Sequence, residues 1–248
     1  MGRYAIKEVF DTLQGEGERS GARSVFVRFS GCNLWSGMPH LREEGAGPCA
    51  LWCDTDFLKG KIMTEEEIVA ECDKLWPRPE VGERWVVLTG GEPGLQLDKV
   101  LCDALHDAGW QIAIESNGTV PNAAFAQAEW LAISPKRGTK LSLLARVAEI
   151  KVVLPGAAEL AKGWTDAELE ELASTHPWAK KFIQPQDMLL YQEPGLTALR
   201  GAEEEQDSEQ AQIAAMRFEH ALRRSIEFVR SHPEWRLSLQ TNKLIGLP

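Results

Sequence analysis

Short apolar runs alternate along the chain with longer stretches that have the hydrophobic periodicity of amphipathic helices. Seven of these runs are rich in β-branched or aromatic residues, which is typical of strands. Strands that alternate with helices predict an α/β fold with mostly parallel strands, in a sheet that is open or curled into a partial barrel. The seven runs cover residues 24–29, 84–89, 111–116, 130–134, 149–154, 181–184 and 235–240.

Several helices between these runs have recognisable ends. Thr64 with Glu67, and Thr165 with Glu168, have the spacing of a capping box, in which two residues exchange hydrogen bonds between side chain and backbone. Gly109 ends a further helical pattern and suits the left-handed conformation that follows a helix. We therefore expect helices that begin after the two threonines and one that ends just before the glycine.

A polar or glycine-rich cluster follows almost every predicted strand. Ligands of parallel α/β sheets bind at the carboxyl ends of the strands, which is where these clusters would meet. Their regular recurrence predicts a composite active site at this edge of the sheet. The clusters are Ser-Gly-Cys (30–32), Thr-Gly-Gly-Glu-Pro (89–93), Glu-Ser-Asn-Gly (115–118), Ser-Pro-Lys (134–136), Gln-Pro-Gln-Asp (184–187) and Gln-Thr-Asn-Lys (240–243).

The segment 186–215 interrupts the alternation, and we interpret it as an insertion within a single domain that spans residues 1–248. It contains a Pro-Gly turn and then an acidic run at 202–210. Such a run is usually a solvated surface, and docking of a partner is the less common alternative. The helical pattern resumes at 216–232.

Composition and charge narrow the class of protein. A formal charge of −10 argues against a general nucleic-acid binder, because binding of phosphates draws on clustered Lys and Arg. The N-terminal sequence lacks the apolar stretch of a signal peptide, and no run approaches the length of a membrane span. We therefore expect a cytosolic protein without nucleic-acid or membrane partners. Its cysteines would stay reduced, so a close group of them indicates metal binding or redox chemistry.

Three of the five cysteines, Cys32, Cys49 and Cys53, fall within the segment 31–57. Structural zinc is normally enclosed by four Cys or His ligands, so zinc stays an alternative with His40 as the fourth ligand. Three thiolates without a fourth suit a [4Fe–4S] cluster that leaves one iron open for a small molecule. The remaining two cysteines lie inside helical patterns and are expected in the core: Cys72 and Cys102.

Eight motifs, taken in their order along the chain, resemble one group of enzymes. The combination is similar to radical S-adenosylmethionine enzymes, and among them to the 7-carboxy-7-deazaguanine synthase family with an expanded cluster-binding loop. The resemblance covers nearly the whole chain. The motifs are FDTLQGEG (10–17), VFVRFSGCNLW (25–35), CDTDF (53–57), TGGEP (89–93), IESNG (114–118), SPK (134–136), IKVV (150–153) and WRLSLQTNKLIGLP (235–248).

Two positions depart from the pattern of that family. Three residues separate Cys49 from Cys53, where the family usually has two. Trp52 still precedes Cys53 directly, as an aromatic residue does in the family pattern, where it lies near the adenine. Asn242 stands where some members with an expanded loop have His, which can be charged where Asn cannot.

The resemblance implies a modified partial (β/α) barrel of the radical S-adenosylmethionine type, with the active site at the carboxyl ends of the strands. The implied reaction is ring contraction of 6-carboxy-5,6,7,8-tetrahydropterin to 7-carboxy-7-deazaguanine with loss of ammonia, a step toward queuosine-type nucleosides. The implied cofactors are a [4Fe–4S] cluster held by the three cysteines of segment 31–57, S-adenosylmethionine and Mg²⁺. A flavodoxin or ferredoxin would donate the electron, and the enzyme would be a homodimer.

The resemblance also assigns a set of contacts to S-adenosylmethionine. Backbone at Gly90 and Gly91 would let the ligand approach closely, and the Glu92 carboxylate would accept hydrogen bonds from its ammonium group. An alternative for the same motif is a glycine turn in which Glu92 caps a helix. The other contacts implied for this ligand are Trp52, Glu115, Ser116, Ser134, Pro135, Lys136, Gln184, Pro185, Gln186 and Asp187.

The pterin and the magnesium ion have their own implied contacts. Arg28 would form two parallel hydrogen bonds with the substrate carboxylate, although an arginine on a strand is also typical of an exposed surface. Thr55 would bind Mg²⁺, a hard cation that retains waters, with Asp54 and Asp56 as candidates for holding those waters. The same Asp-Thr-Asp sequence is also typical of a turn. The other substrate contacts are Leu13, Gln14, Gly15, Glu16, Thr89, Asn242 and the terminal carboxylate of Pro248.

Two other functions are considered beside this one. A radical activase of a glycyl-radical enzyme would share the cluster and the cofactor, but the Leu-Gln-Gly-Glu-Gly segment at 13–17 and the Ile-Gly-Leu-Pro ending argue against it. A zinc-stabilised binding protein without catalysis would be colourless when purified without air, whereas an iron–sulfur protein would be brown.

Overall fold

The computed structural model describes residues 2–41, 47–49, 53–142, 146–155, 163–186 and 209–248. Within these residues the chain forms nine strands in one sheet and five α-helices. In chain order the elements are β1 (Tyr4–Leu13), β2 (Arg23–Phe29), β3 (Lys61–Met63), α1 (Glu65–Leu75), β4 (Arg84–Gly90), α2 (Lys99–Asp107), β5 (Trp110–Ser116), β6 (Trp130–Ile133), β7 (Glu149–Leu154), α3 (Asp166–Thr175), β8 (Lys180–Pro185), α4 (Glu209–Ser231), β9 (Trp235–Leu237) and α5 (Thr241–Leu244).

The sheet has the strand order β3-β1-β2-β4-β5-β6-β7-β8-β9. Every neighbouring pair from β2 to β9 is parallel, whereas β1 is antiparallel to both β2 and β3. Helices α1, α2 and α4 pack against β1, β5 and β8. The α/β fold with mostly parallel strands is confirmed, and the carboxyl ends of the parallel strands meet along one edge.

Six of the seven predicted strands are confirmed to within one residue at either end. The seventh, predicted at 235–240, is too long, because the pairing of β9 in the sheet ends at Leu237. After it the chain turns away from the sheet, and Ser238 and Gln240 donate hydrogen bonds to Gln184 and Glu16. These polar contacts replace further strand pairing.

The long antiparallel strand β1 was not predicted from the sequence. Its pairing with β2 shifts register between Ile6 and Glu8, so apolar and polar residues do not alternate evenly along it. Charged residues such as those of β1 are typical of loops in a sequence. In the sheet, however, they form ion pairs with residues of the neighbouring strand. Glu8 pairs with Arg28 at 2.7 Å, and Asp11 pairs with Arg23 at 3.0 Å.

The predicted helix ends are confirmed. Thr64 and Glu67 form both hydrogen bonds of a capping box at the start of α1, as do Thr165 and Glu168 at the start of α3. Gly109 has a φ of +82° just beyond the end of α2. These local signals therefore fix where three helices lie along the chain.

The helix predicted over 216–232 is longer than expected, because α4 begins at Glu209. The proposed insertion at 186–215 thus ends in helix, while its residues 187–208 lie outside the described residues. Helix α4 packs on β8 and β9. No helix in the described ranges is long and apolar enough to cross a membrane.

The two faces of the parallel strands differ in chemistry, because alternate residues of a strand point to opposite faces. One face carries the apolar core under the helices, and the other carries polar residues that line a cavity. The core face includes Val27, Leu88, Ile114, Ile150 and Ile183. The cavity face includes Arg28, Thr89, Glu115, Lys151 and Gln184.

The capping box of α1 gives a direct test of the fold. We expect Thr64→Ala to lower the free energy of unfolding by about 1 kcal/mol, because the Glu67 backbone N–H loses its acceptor. Urea unfolding followed by circular dichroism measures this change. Thr64→Ser keeps the hydroxyl oxygen and should unfold nearly as the parent does; equal losses in the two variants would show that the cap contributes nothing.

Candidate active site

A cavity of about 420 Å³ lies at the carboxyl ends of the parallel strands. It is lined by residues from seven strands and from the loops that follow them, and it lies where the sequence predicts the composite site. The following predicted site residues line it: Gln14, Gly15, Glu16, Arg28, Cys32, Cys49, Cys53, Thr55, Thr89, Gly90, Gly91, Glu115, Ser116, Ser134, Lys136, Gln184, Gln186, Asn242 and Pro248.

Four predicted site residues within the described part of the chain do not line this cavity: Leu13, Glu92, Pro135 and Pro185. Each is the sequence neighbour of a residue that does, so the motif reaches the cavity although that side chain does not. Two further predicted contacts, Trp52 and Asp187, lie outside the described residues.

The three clustered cysteines come together in the loops after β2. Cys49 packs with Trp35 and Phe57 in a small apolar cluster, and Cys32 and Cys53 lie against it. The Cys53 backbone N–H donates to the Cys49 carbonyl oxygen at 2.8 Å. Thus, although sixteen residues lie between Cys32 and Cys49 along the chain, all three cysteines line one cavity.

The thiols have unequal acidities. The hydrogen bond with the Cys49 thiol lowers the pKa of Cys53 to about 6, and the same hydrogen bond, together with burial, raises the pKa of Cys49. Burial also raises the pKa of Cys32. The hydrogen bond between the two thiols therefore favours the thiolate at Cys53, and the thiolate is the form that binds a metal.

The chemistry of this donor set fits an iron–sulfur cluster, since thiolates are its usual ligands. His40, the fourth zinc ligand considered from the sequence, is exposed and is not among the residues that line the cavity. In the part of the chain that the structure describes, no group of three or more His, Cys, Asp or Glu side chains is placed to enclose a single metal ion.

The glycine pair after β4 lets two loops approach closely. Gly90 has a φ of +141°, and the Gly91 N–H donates to the Phe29 carbonyl oxygen at 3.1 Å. A Cβ at Gly91 would overlap the Gly31 carbonyl oxygen beside Cys32. Only glycine fits between this loop and the cysteine loop, which explains the motif by packing as well as by ligand access.

Glu92 is fully buried, and its carboxylate holds neighbouring loops together. It accepts hydrogen bonds at 2.8 Å from the Gly94 N–H, the Ser116 hydroxyl and the Asn117 N–H. Burial raises its pKa, while these three donors oppose that effect. The carboxylate also caps the 3-10 helix Pro93–Leu95, which is the alternative considered for this motif.

The wall on the side of β1 and β2 presents a guanidinium. Arg28 donates through Nε to Glu8 at 2.7 Å, and its guanidinium carbon lies 5.6 Å from the centre of the Phe10 ring. The Arg28 side chain is 21 % exposed. Because Nε faces Glu8, the two terminal nitrogens are the ones that can form parallel hydrogen bonds with a carboxylate in the cavity.

A buried ion pair lies at the floor of the cavity, and sequence reasoning did not single it out. The Lys151 ammonium contacts the Glu16 carboxylate and lies 3.8 Å from Glu115 Oε2. Gln184 and Gln240 donate to the other Glu16 oxygen at 3.1 and 2.7 Å. The signal was present in the sequence: Lys151 is a charged residue between the apolar residues Ile150 and Val152 of the strand EIKVVL.

A second ion pair joins the cysteine loop to the C-terminal segment. Lys243 contacts the Asp54 carboxylate at 2.7 Å, and Gln240 donates to the same oxygen at 3.1 Å. Burial alone would raise the pKa of Asp54, but Lys243 and Gln240 bring it below its usual range. Thr55, the predicted magnesium ligand, is the next residue and lines the cavity.

The last residues of the sequence close one side of the cavity. The Thr241 N–H donates to the Gly15 carbonyl oxygen at 3.0 Å, which fixes the start of α5 against the end of β1. A Pro248 backbone oxygen accepts from the Thr12 hydroxyl at 2.9 Å and from the Asn242 amide at 3.0 Å. Asn242 and Pro248 therefore line the cavity side by side.

Similar proteins point to one family. No protein-family model matches the chain. The chain is 36% identical over 251 residues to the 7-carboxy-7-deazaguanine synthase of Burkholderia multivorans, with 99% of each chain covered. It is 37% identical over 255 residues to the synthase of the same name from Nitratidesulfovibrio vulgaris, again with 99% of each covered.

The fold is similar to a solved structure. The crystal structure of QueE from Escherichia coli superposes with a TM-score of 0.59 and covers 96% of this chain and 93% of that one, at 24% identity. At this identity the likeness concerns the fold alone. It confirms the predicted partial barrel with mostly parallel strands.

The buried Glu92 carboxylate gives a prediction that distinguishes a structural role of this residue from a role in ligand binding. We expect Glu92→Gln to lower the free energy of unfolding by about 1–3 kcal/mol, because an amide NH₂ would face backbone N–H donors. Urea unfolding measures this. Ser116→Ala, which removes one donor only, should cost about 1 kcal/mol or less. A Glu92→Gln variant that unfolds like the parent but no longer binds S-adenosylmethionine would contradict the structural role.

Proposed function

The chain belongs to the 7-carboxy-7-deazaguanine synthase family, and from this premise we propose how its cavity performs that reaction. The enzyme converts 6-carboxy-5,6,7,8-tetrahydropterin to 7-carboxy-7-deazaguanine and ammonia. Product and ammonia together contain the atoms of the substrate, so the conversion is a redox-neutral rearrangement. The observation that carries the proposal is that three cysteines, a guanidinium and partly buried carboxylates line one cavity.

The cysteine side of the cavity is the proposed place of the cofactors. Cys32, Cys49 and Cys53 hold the [4Fe–4S] cluster, and the backbone of Gly90 and Gly91 lies beside them. With S-adenosylmethionine bound, such a cluster would supply the one-electron radical chemistry that abstracts a hydrogen atom from the substrate. The protein's part is to place the ligands and to keep water from the reacting atoms.

The remaining cofactor-side contacts come from the ends of the later strands. The Lys136 ammonium donates to the Ser134 carbonyl and hydroxyl oxygens at 2.7 and 2.8 Å, which fixes it at the cavity wall. We assign Ser134, Lys136 and Glu115, together with Gln184 and Gln186 at the end of β8, to S-adenosylmethionine. Their polar groups suit the ribose hydroxyls and the carboxylate of that ligand.

The pterin occupies the opposite side in this proposal. Arg28 binds the substrate carboxylate through its terminal nitrogens, and Glu16 accepts hydrogen bonds from the donor edge of the ring. Thr55 would hold Mg²⁺, which would help to orient the substrate there. These roles agree with the position of all three side chains on the cavity wall.

The proposal also covers the electron donor, the oligomeric state, the localisation and the domain organisation of the enzyme. A flavodoxin or ferredoxin donates the electron, the enzyme is a homodimer in the cytosol, and one domain spans the chain. These statements rest on the resemblance to the family. The glycyl-radical activase and the zinc-binding protein have no support from relatives that match over nearly the full length of this chain and are named as synthases.

Cluster binding can be tested before catalysis. After anaerobic reconstitution with iron and sulfide we expect about four irons per chain and, after reduction, an EPR signal that S-adenosylmethionine perturbs. Cys53→Ala should lose the cluster, because its sulfur is a ligand. Cys72→Ala removes a buried thiol of the core and should keep it. Normal iron content in Cys53→Ala, or a signal indifferent to S-adenosylmethionine, would refute the proposed site.

The assignment of Arg28 predicts that its replacement impairs only the recognition of the substrate carboxylate. We expect Arg28→Gln to raise the KM for 6-carboxytetrahydropterin about 100-fold, because two charge-assisted hydrogen bonds are lost. The matched control is Arg23→Gln on the same strand, whose guanidinium pairs with Asp11 outside the cavity. Inhibition by a tetrahydropterin without the carboxylate should be unchanged in both variants. If Arg28→Gln weakened this inhibitor equally, the guanidinium would not recognise the carboxylate.

A further inference from the structure

Lys151 lies where the two halves of the cavity meet. It is on β7, its side chain is only 6 % exposed, and its ammonium points to the cavity floor. On one side it contacts Glu16 Oε2, and on the other it lies 3.8 Å from Glu115 Oε2. One cation thus lies between a carboxylate that follows β1 and a carboxylate of β5.

Both carboxylates keep capacity to accept hydrogen bonds from a ligand. Glu16 accepts from Lys151, Gln184 and Gln240, and Glu115 accepts from the Gln14 amide at 2.8 Å. An ionised carboxylate can accept about four hydrogen bonds. Each therefore has at least one lone pair left, and each lines the cavity.

The surrounding charges keep this group ionised. Burial alone would raise the pKa of Glu16, but Lys151 brings it below the usual value. Burial alone would lower the pKa of Lys151, but Glu115, Glu16 and Glu149 raise it above the usual value. Glu149, two residues earlier on β7, also accepts from the Glu18 N–H at 3.0 Å. The ammonium and the Glu16 carboxylate are thus both charged at neutral pH.

We propose that Lys151 is a positioning residue that holds Glu16 toward the pterin and Glu115 toward S-adenosylmethionine, and that it thereby sets the affinity for both ligands. The proposal rests on the function proposed above, which assigns the two carboxylates to different ligands. Lys151 touches neither ligand in this scheme. It acts through the orientation and charge of its two partners.

The same sheet contains a second buried lysine, Lys181, that lies outside the cavity. Lys181 lies on the neighbouring strand β8, is 7 % exposed, and donates to the Ala179 carbonyl oxygen at 2.9 Å. It is not among the cavity-lining residues. Lys181→Met is therefore a matched control for the loss of a buried lysine.

The test uses the reconstituted enzyme with its cluster. Equilibrium dialysis gives the Kd for S-adenosylmethionine, and steady-state kinetics give KM and kcat for the pterin. We expect Lys151→Met to raise both Kd and KM about tenfold or more, with a smaller change in kcat. Glu16→Gln should raise KM alone and Glu115→Gln should raise Kd alone, while Lys181→Met should change neither.

A double variant covers the case in which Lys151→Met fails to fold because a buried carboxylate loses its partner. Lys151→Met/Glu16→Gln replaces both members of the closest ion pair by neutral groups, which usually preserves stability. Its Kd for S-adenosylmethionine should exceed that of Glu16→Gln about tenfold, because Glu115 still lacks its cation. Thermal unfolding of each variant reports the state of the fold.

Two results would overturn the inference. One is a Lys151→Met enzyme, or a double variant, whose Kd matches that of its Lys151-containing parent. The other is an equal loss in Lys181→Met, which would indicate a general effect on the fold. Failure of the proposed function is a separate result: the unaltered enzyme with cluster and S-adenosylmethionine would then form no 7-carboxy-7-deazaguanine from the pterin.

Discussion

A buried carboxylate, that of Glu92, sets the relative position of the loops that form the active site. Through its backbone N–H, which donates to the Gly31 carbonyl oxygen at 2.9 Å, the same residue is tied to the cysteine loop. Through its side chain it is tied to Ser116 and Asn117 after β5. Asn117 then donates to Asn33 at 2.9 Å, which closes a ring of hydrogen bonds around three loops. Because burial makes each of these bonds costly to lose, the thiols are fixed relative to the edge of the sheet.

Local sequence signals predicted the parallel strands and helix ends, because each depends on a few neighbouring residues. The capping boxes at Thr64 and Thr165 and the glycine at 109 are of this kind. Strand β1 could not be found in this way, since its bulge breaks the alternation and its charges are satisfied only by partners on β2. The pairing of β1 depends on contacts with β2 that form only in the folded sheet.

The residues of the candidate site also fall into those that local motifs predict and those that depend on contacts between distant strands. Cysteine spacing and glycine-rich motifs predicted residues that line the cysteine side of the cavity, because such motifs consist of residues close together in the sequence. The partners of Lys151, Glu8 and Gln240 became visible only when strands distant in sequence were brought together. Conversely, Glu92 belongs to the most recognisable motif, yet its carboxylate does not line the cavity. It is buried and accepts hydrogen bonds that hold the loops together. A motif therefore locates a site more reliably than it assigns the role of each member.

The closure of the cavity by α5 has a consequence for how the enzyme is made. Thr241 and Pro248 contact partners 226 and 236 positions earlier in the chain. Since synthesis proceeds from the N-terminus, β1 and the cysteine loop leave the ribosome long before the residues that complete their wall. Contacts over such separations form late in folding, because the entropy of closing the loop is lost before the contacts are gained. The sheet can thus assemble around an open cleft, and the wall formed by α5 is added only after the rest of the cavity has been synthesised.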